Sequence, residues 1–105
     1  VSGKTALIVD DEIGTGATVI AAAKALKENG ANDIYCCATH AVLSDNAAKR
    51  ISESPLKELV VTDTLPLPNE KKLSNLSTIT VSAILGEAIY RIHGGLSVGA
   101  MFERH

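Results

Sequence analysis

Two adjacent carboxylates, Asp10 and Asp11, stand just ahead of a run of small and hydroxyl-bearing residues, Gly14-Thr15-Gly16-Ala17-Thr18. The two groups offer complementary chemistry. Carboxylates accept hydrogen bonds from vicinal hydroxyls. A tight loop at a helix N-terminus presents backbone N–H groups and a favourable dipole to a dianionic phosphate. Gly14, Gly16 and Ala17 let the backbone approach closely, and the hydroxyls of Thr15 and Thr18 add donors. A ligand with hydroxyls one sugar length from a phosphate uses both ends. These residues therefore favour ribose 5-phosphate over a nucleoside triphosphate, since no Walker-type lysine follows the loop.

Two other readings of the same residues compete. In the plainer one, the acids are solvated at a strand end and the glycines merely allow a bend. Adjacent carboxylates repel, so such a pair needs hydroxyl donors, a metal or open solvent around it. In the other, Leu7 to Glu12 opens a phosphorylated receiver domain, with Asp63 as phosphoacceptor and Ile79 to Ala83 as its hydroxyl-bearing strand. A receiver also needs a lysine at the end of its last strand, and this chain has none after Lys72.

The elements that must position these groups follow from hydrophobic spacing. Thr5 to Val9 reads as a buried strand ending at Asp10. Thr18 to Glu28 carries Val19, Ala22, Ala23 and Leu26 at helical spacing, with Thr15 or Thr18 as N-cap and Gly30 as stop. Asp33 to Thr39 is a second strand and His40 to Leu43 a loop. Ser44 or Asp45 caps a helix through about Glu53, stopped by Pro55. Glu58 to Thr62 is a third strand. Asp63 to Asn75 is a loop with one helical turn near Asn69 to Leu73, and Ser77 to Val81 a fourth strand. Ser82 caps a last helix whose Ile84, Leu85, Ala88, Ile89 and Ile92 face the core, closed by Gly94-Gly95.

Strands alternating with helices predict an open, mostly parallel α/β sheet with flanking helices, a Rossmann-like three-layer arrangement over residues 1–105. In such sheets ligands sit beyond the carboxyl ends of the strands, where Asp10, His40 and Asp63 all fall. His40 reads as an acid, base or ligand, or as a loop histidine bonded to backbone. Asp63 reads more simply as a turn-forming acid.

Composition narrows the partners. A net charge of −2 gives no electrostatic footprint for nucleic acid or an anionic membrane surface. Phe102, Tyr35 and Tyr90 are too few for a base-stacking platform. No apolar run approaches a membrane span, and no signal-peptide pattern is present. Cys36 and Cys37 are strand neighbours pointing to opposite faces, which argues against a disulfide between them and fits a reducing cytoplasm. The chain enters its first strand almost at once after Val1, and the expectation is that a longer protein precedes it.

Val9 to Thr18 resembles the phosphoribosyl-diphosphate loop of the type I phosphoribosyltransferase fold. The rest resembles the ribose-phosphate diphosphokinase (phosphoribosyl-diphosphate synthetase) family: Ala38 to Ser44, Glu58 to Pro66, and a tail of Glu87 to His93 followed by Ser97-Val98 and Phe102. The resemblance implies transfer of a diphosphoryl group from ATP to the anomeric hydroxyl of ribose 5-phosphate with Mg²⁺, whose ligands would lie mostly outside this chain. It implies that Gly14, Thr15, Gly16, Ala17 and Thr18 hold the 5-phosphate, and Asp10 and Asp11 the ribose hydroxyls. It places Arg91, Ser97 and Phe102 where some members bind an effector between subunits, and it implies a homo-oligomer. The match is to the carboxyl-terminal third of such an enzyme, so the isolated chain is expected to be inactive. Gly14 stands where the family commonly has an acid, Ala17 where it has glycine, and Gly99 where a serine follows Ser97. A salvage phosphoribosyltransferase and a non-catalytic regulatory paralogue are the alternatives.

Overall fold

Four strands pair in chain order into a single all-parallel sheet: β1 (Ala6–Ile13), β2 (Ile34–Ala41), β3 (Glu58–Thr62) and β4 (Leu76–Ile79). The computed structural model describes residues 1–44 and 46–103, with the backbone alone at Glu70, so the capping expectation for Asp45 lies outside the described residues. Helices α1 (Ala17–Glu28), α2 (Ala47–Ser52) and α3 (Ser82–His93) occupy the crossovers and the tail. Short 3₁₀ turns form at Asn69–Lys71 and Gly99–Phe102. The α/β class and the parallel sheet are as the alternation of elements predicts.

The sheet buries one face. Alternate strand residues Ile34, Cys36, Ala38, Leu59 and Val61 are buried together with Val19 and Ala23 of α1 and Ala47 and Ile51 of α2. Burial raises the Cys36 thiol to about 11, so it behaves as a small apolar residue. On the opposite face, Leu7, Val9 and Ile79 remain more than half exposed. An apolar groove of about 220 Å³ runs there over Val9, Cys37, Thr39, Val60 and Ile79.

Helix α1 stops where the sequence predicts. Gly30 adopts φ +91°, its N–H reaches the Lys27 carbonyl, and the next N–H, of Ala31, reaches Leu26. This left-handed stop satisfies two of the carbonyls a helix end leaves orphaned. A side chain at Gly30 would also meet the Ser2 hydroxyl at 2.9 Å.

Helix α3 departs from expectation. None of its residues is buried, and Ile84, Leu85, Ile89 and Ile92 are all more than half exposed. Its apolar stripe has the spacing of a core-facing helix without a core to face. The molecule measures 51 × 35 × 19 Å, with a radius of gyration of 16.5 Å. A compact domain of this length has about 13 Å.

Candidate functional site

Strand β1 does not end at Asp10. It continues through Asp11 and Glu12 to Ile13, with Glu12 opposite His40 and Ile13 opposite Ala41 on β2. Backbone pairing is indifferent to side-chain charge when the side chains reach solvent at the sheet rim. Because strand residues alternate, Asp10 and Glu12 share one face and Asp11 takes the other. A cavity of about 130 Å³ records this: Asp10, Glu12, Ile13, Gly14, Thr15, Gly16, Ala17, Thr18 and Val19 form its wall, and Asp11 does not. The structure therefore brings Asp10 together with every predicted loop residue. It adds Glu12, which the sequence reading passed over and which two-residue spacing from Asp10 would have revealed.

Asp11 is solvent-facing. Its N–H donates to Asp10 Oδ1 at 2.8 Å, and its own Oδ1 accepts from the Glu12 N–H at 2.9 Å. Its carboxyl lies below the ordinary carboxylate range. The largest cause is hydrogen bonding with the Asp10 side chain, and the Glu12 N–H adds to it.

The loop turns at Gly16, the N-cap of α1, in a left-handed conformation (φ +83°, ψ −1°). No side chain occupies the cap, contrary to the expectation for Thr15 or Thr18. The Thr15 hydroxyl instead accepts the Ala17 N–H at 3.3 Å, one residue early. Among the described residues, the N–H groups of Thr15, Gly16, Thr18 and Val19 have no protein acceptor. The first turn of any helix leaves such donors, and here they border the cavity.

Two loop carbonyls are held from behind. Leu43 N–H reaches the Ile13 carbonyl at 2.9 Å and Ser44 N–H reaches Gly14 at 3.0 Å. Leu43 makes this possible with φ +49°, rare for a leucine, while its side chain is fully buried. No sequence signal marks that residue.

His40 lies on β2, not in a loop, and its partner is a hydroxyl, not backbone: Nδ1 is 2.7 Å from Thr64 Oγ1. Asp63 ties β3 to the start of α3, its Oδ1 accepting the Val81 N–H at 2.9 Å. The Thr80 hydroxyl and that N–H hold its carboxyl below the ordinary range, as suits a turn-forming acid. Arg91 spends its guanidinium within the chain, on Glu87 at 3.0 Å and the Ser97 carbonyl at 3.1 Å. Phe102 is exposed and lines a separate cavity of about 520 Å³ with Ala83, Ile84, Glu87 and Met101.

This is a parallel α/β sheet whose acid-bearing first strand feeds a donor-lined loop and helix at its carboxyl rim, the usual ligand position for the class. The model of the phosphoribosyl synthetase-associated domain matches residues 1–103. The chain belongs to that family. It is 52% identical over 102 residues to the ribose-phosphate pyrophosphokinase of Caldanaerobacter subterraneus subsp. tengcongensis, covering 97% of this chain and 32% of the relative. It is 48% identical over 103 residues to that of Bacillus subtilis, covering 98% and 32%. Among solved structures, phosphoribosylpyrophosphate synthetase from Mycobacterium smegmatis superposes with a TM-score of 0.89 at 38% identity, over 90% of this chain and 32% of that one. The chain thus spans about a third of the length of the relatives it matches.

Proposed function

We propose that this chain is the ribose 5-phosphate-binding part of a ribose-phosphate diphosphokinase, in its carboxyl-terminal third. The observation that carries the reading is the cavity in which Asp10 meets Gly14, Thr15, Gly16, Ala17 and Thr18. At about 130 Å³ it suits the phosphate end of the ligand better than the whole sugar phosphate. The free N–H groups of the loop and the first turn of α1 hold the 5-phosphate. The sugar then lies over the strand rim, where Asp10 and Asp11, with Glu12 beside them, accept hydroxyls. Fixing the sugar in one orientation is this chain's contribution to attack of its anomeric hydroxyl on ATP.

The parent protein transfers the diphosphoryl group of ATP to that hydroxyl, works as a homo-oligomer and is cytoplasmic. Mg²⁺ would neutralise the triphosphate during transfer. Among the described residues no three His, Cys, Asp or Glu side chains converge as metal ligands, so no step is assigned to a metal held by this chain. Among the described residues, no helix is long and apolar enough to cross a membrane. The names of the relatives favour neither a salvage transferase nor a regulatory paralogue.

Two measurements test the proposal. Titration calorimetry of the full-length protein with ribose 5-phosphate should give saturable heat that Gly16→Ala weakens, and a folded protein giving none would refute it. The isolated chain with ATP, Mg²⁺ and ribose 5-phosphate should give no product, and turnover at an enzyme-like rate would show that the chain is complete.

A further inference from the structure

The first three strands carry nearly unbroken apolar runs: Ala6-Leu7-Ile8-Val9, Ile34-Tyr35-Cys36-Cys37-Ala38 and Leu59-Val60-Val61. Such runs belong to parallel strands buried on both faces, whereas a strand with one wet face alternates apolar and polar residues. This sheet is all parallel, yet it buries one face only. On the other, Leu7, Val9 and Ile79 are more than half exposed, and the apolar groove crosses from Val9 of β1 to Ile79 of β4.

The connecting helices cannot reach that face. The strands are laid down in one direction, from β1 to β4, and right-handed crossovers then put every connecting helix on the same side. Helices α1 and α2 obey, both packing on the buried face. Helix α3 follows the last strand, and none of its residues is buried.

The two sheet edges also differ. Strand β4 has four residues, Ser77 and Thr78 among them, and is a blunted edge. Strand β1 has eight, pairs on one side only, and leads into the ligand cavity. The Ala6 N–H donates toward β2, to the Asp33 carbonyl at 2.9 Å, so by alternation the Leu7 and Val9 N–H groups point to the free edge. An open α/β sheet holds its ligand where the winding reverses, between two strands and not at an outer edge.

We propose that the bare face and the free edge of β1 receive an earlier part of the parent chain. That part adds parallel strands beyond β1, laid down away from it, so that their crossover helices fall on the bare face. Strand β1 becomes an interior strand at the reversal point. Cys37, which lines the groove and is reachable in the isolated chain, is covered in the parent. The relatives have the length for this, since the chain spans 32% of each. A second copy of this chain fits less well, because two bare faces meeting would leave the edge of β1 unpaired. The proposal rests on the reading that this chain is the carboxyl-terminal third of a longer enzyme.

Two measurements on the full-length protein test it. In residue-resolved amide exchange, Leu7 and Val9 should be protected to within about tenfold of Ile8, whose N–H faces β2. Leu7→Lys should lower the melting temperature by more than about 5 °C or prevent folding, because it puts a charge under a packed layer. Leu7→Met should leave it within about 2 °C of wild type. Leu7 and Val9 exchanging as unpaired edge amides, or a Leu7→Lys protein melting within about 2 °C of wild type, would overturn the proposal. Protection that vanishes on dilution to the monomer assigns the surface to a second copy and overturns it too. The heat of ribose 5-phosphate binding is a separate readout, so its absence with protection intact overturns the proposed function alone.

Discussion

Two glycines of the same loop should respond oppositely to alanine. Gly16 sits at φ +83°, where an L-residue costs about 1–2 kcal/mol. A methyl there meets Ile20 and Ile51 side-chain carbons at 3.5 Å, ordinary contact, so no clash adds to the backbone strain. Gly14 has no positive φ, and a methyl there meets nothing within 4 Å. Both substitutions restrict the unfolded chain alike, each favouring the folded state by about 0.4–1 kcal/mol. That contribution cancels in the comparison. Gly16→Ala should therefore be less stable than Gly14→Ala by about 1–2 kcal/mol. Urea denaturation measures this as a difference in midpoint at equal slope. Two variants within about 0.5 kcal/mol of each other, the scatter of ordinary surface substitutions, would refute the assignment of strain to Gly16.

Thiol chemistry and pH give two further checks. Cys37 should react with iodoacetamide at pH 8 while Cys36, buried and raised to about 11, should react only after unfolding; mass spectrometry of the native protein showing Cys36 modified first would contradict the packing. Asp63→Asn should lower stability at pH 7. The native carboxyl lies below its unfolded value, so its contribution is present above the ordinary carboxylate range and lost as pH falls through the lowered value. Melting curves of the two proteins should converge in acid, and a gap that widens there would refute the role given to the Val81 N–H.

Much of this was readable from residue spacing because the strands are short apolar runs between strong stops. Strand β3 occupies Glu58–Thr62 as predicted, and Gly30 ends α1 by a backbone conformation that glycine adopts freely. The site was half legible. Residue types and spacing mark Asp10 and the loop from Gly14 to Thr18, but a strand taken to end at its first charge leaves Glu12 out of the cavity wall. Acidic residues look like a strand boundary only if pairing is judged by side chain, and the ladder to β2 runs on beneath them. Helical spacing in α3 marked an apolar face correctly, yet periodicity carries no information on what covers that face. The left-handed Leu43 left no trace in sequence at all, since nothing in a leucine's type requests that backbone.

That leucine bears on how tightly the loop can bind. A residue held in a sparsely populated backbone region stores about 1–3 kcal/mol, supplied by the burial of its own side chain. In return, the Ile13 and Gly14 carbonyls are turned away and fastened before any ligand arrives. A floppy glycine loop loses conformational entropy each time it wraps a phosphate, and affinity falls accordingly. Here that ordering is completed during folding. The free energy of anion binding is then spent on contact with the ligand and not on arranging the loop around it.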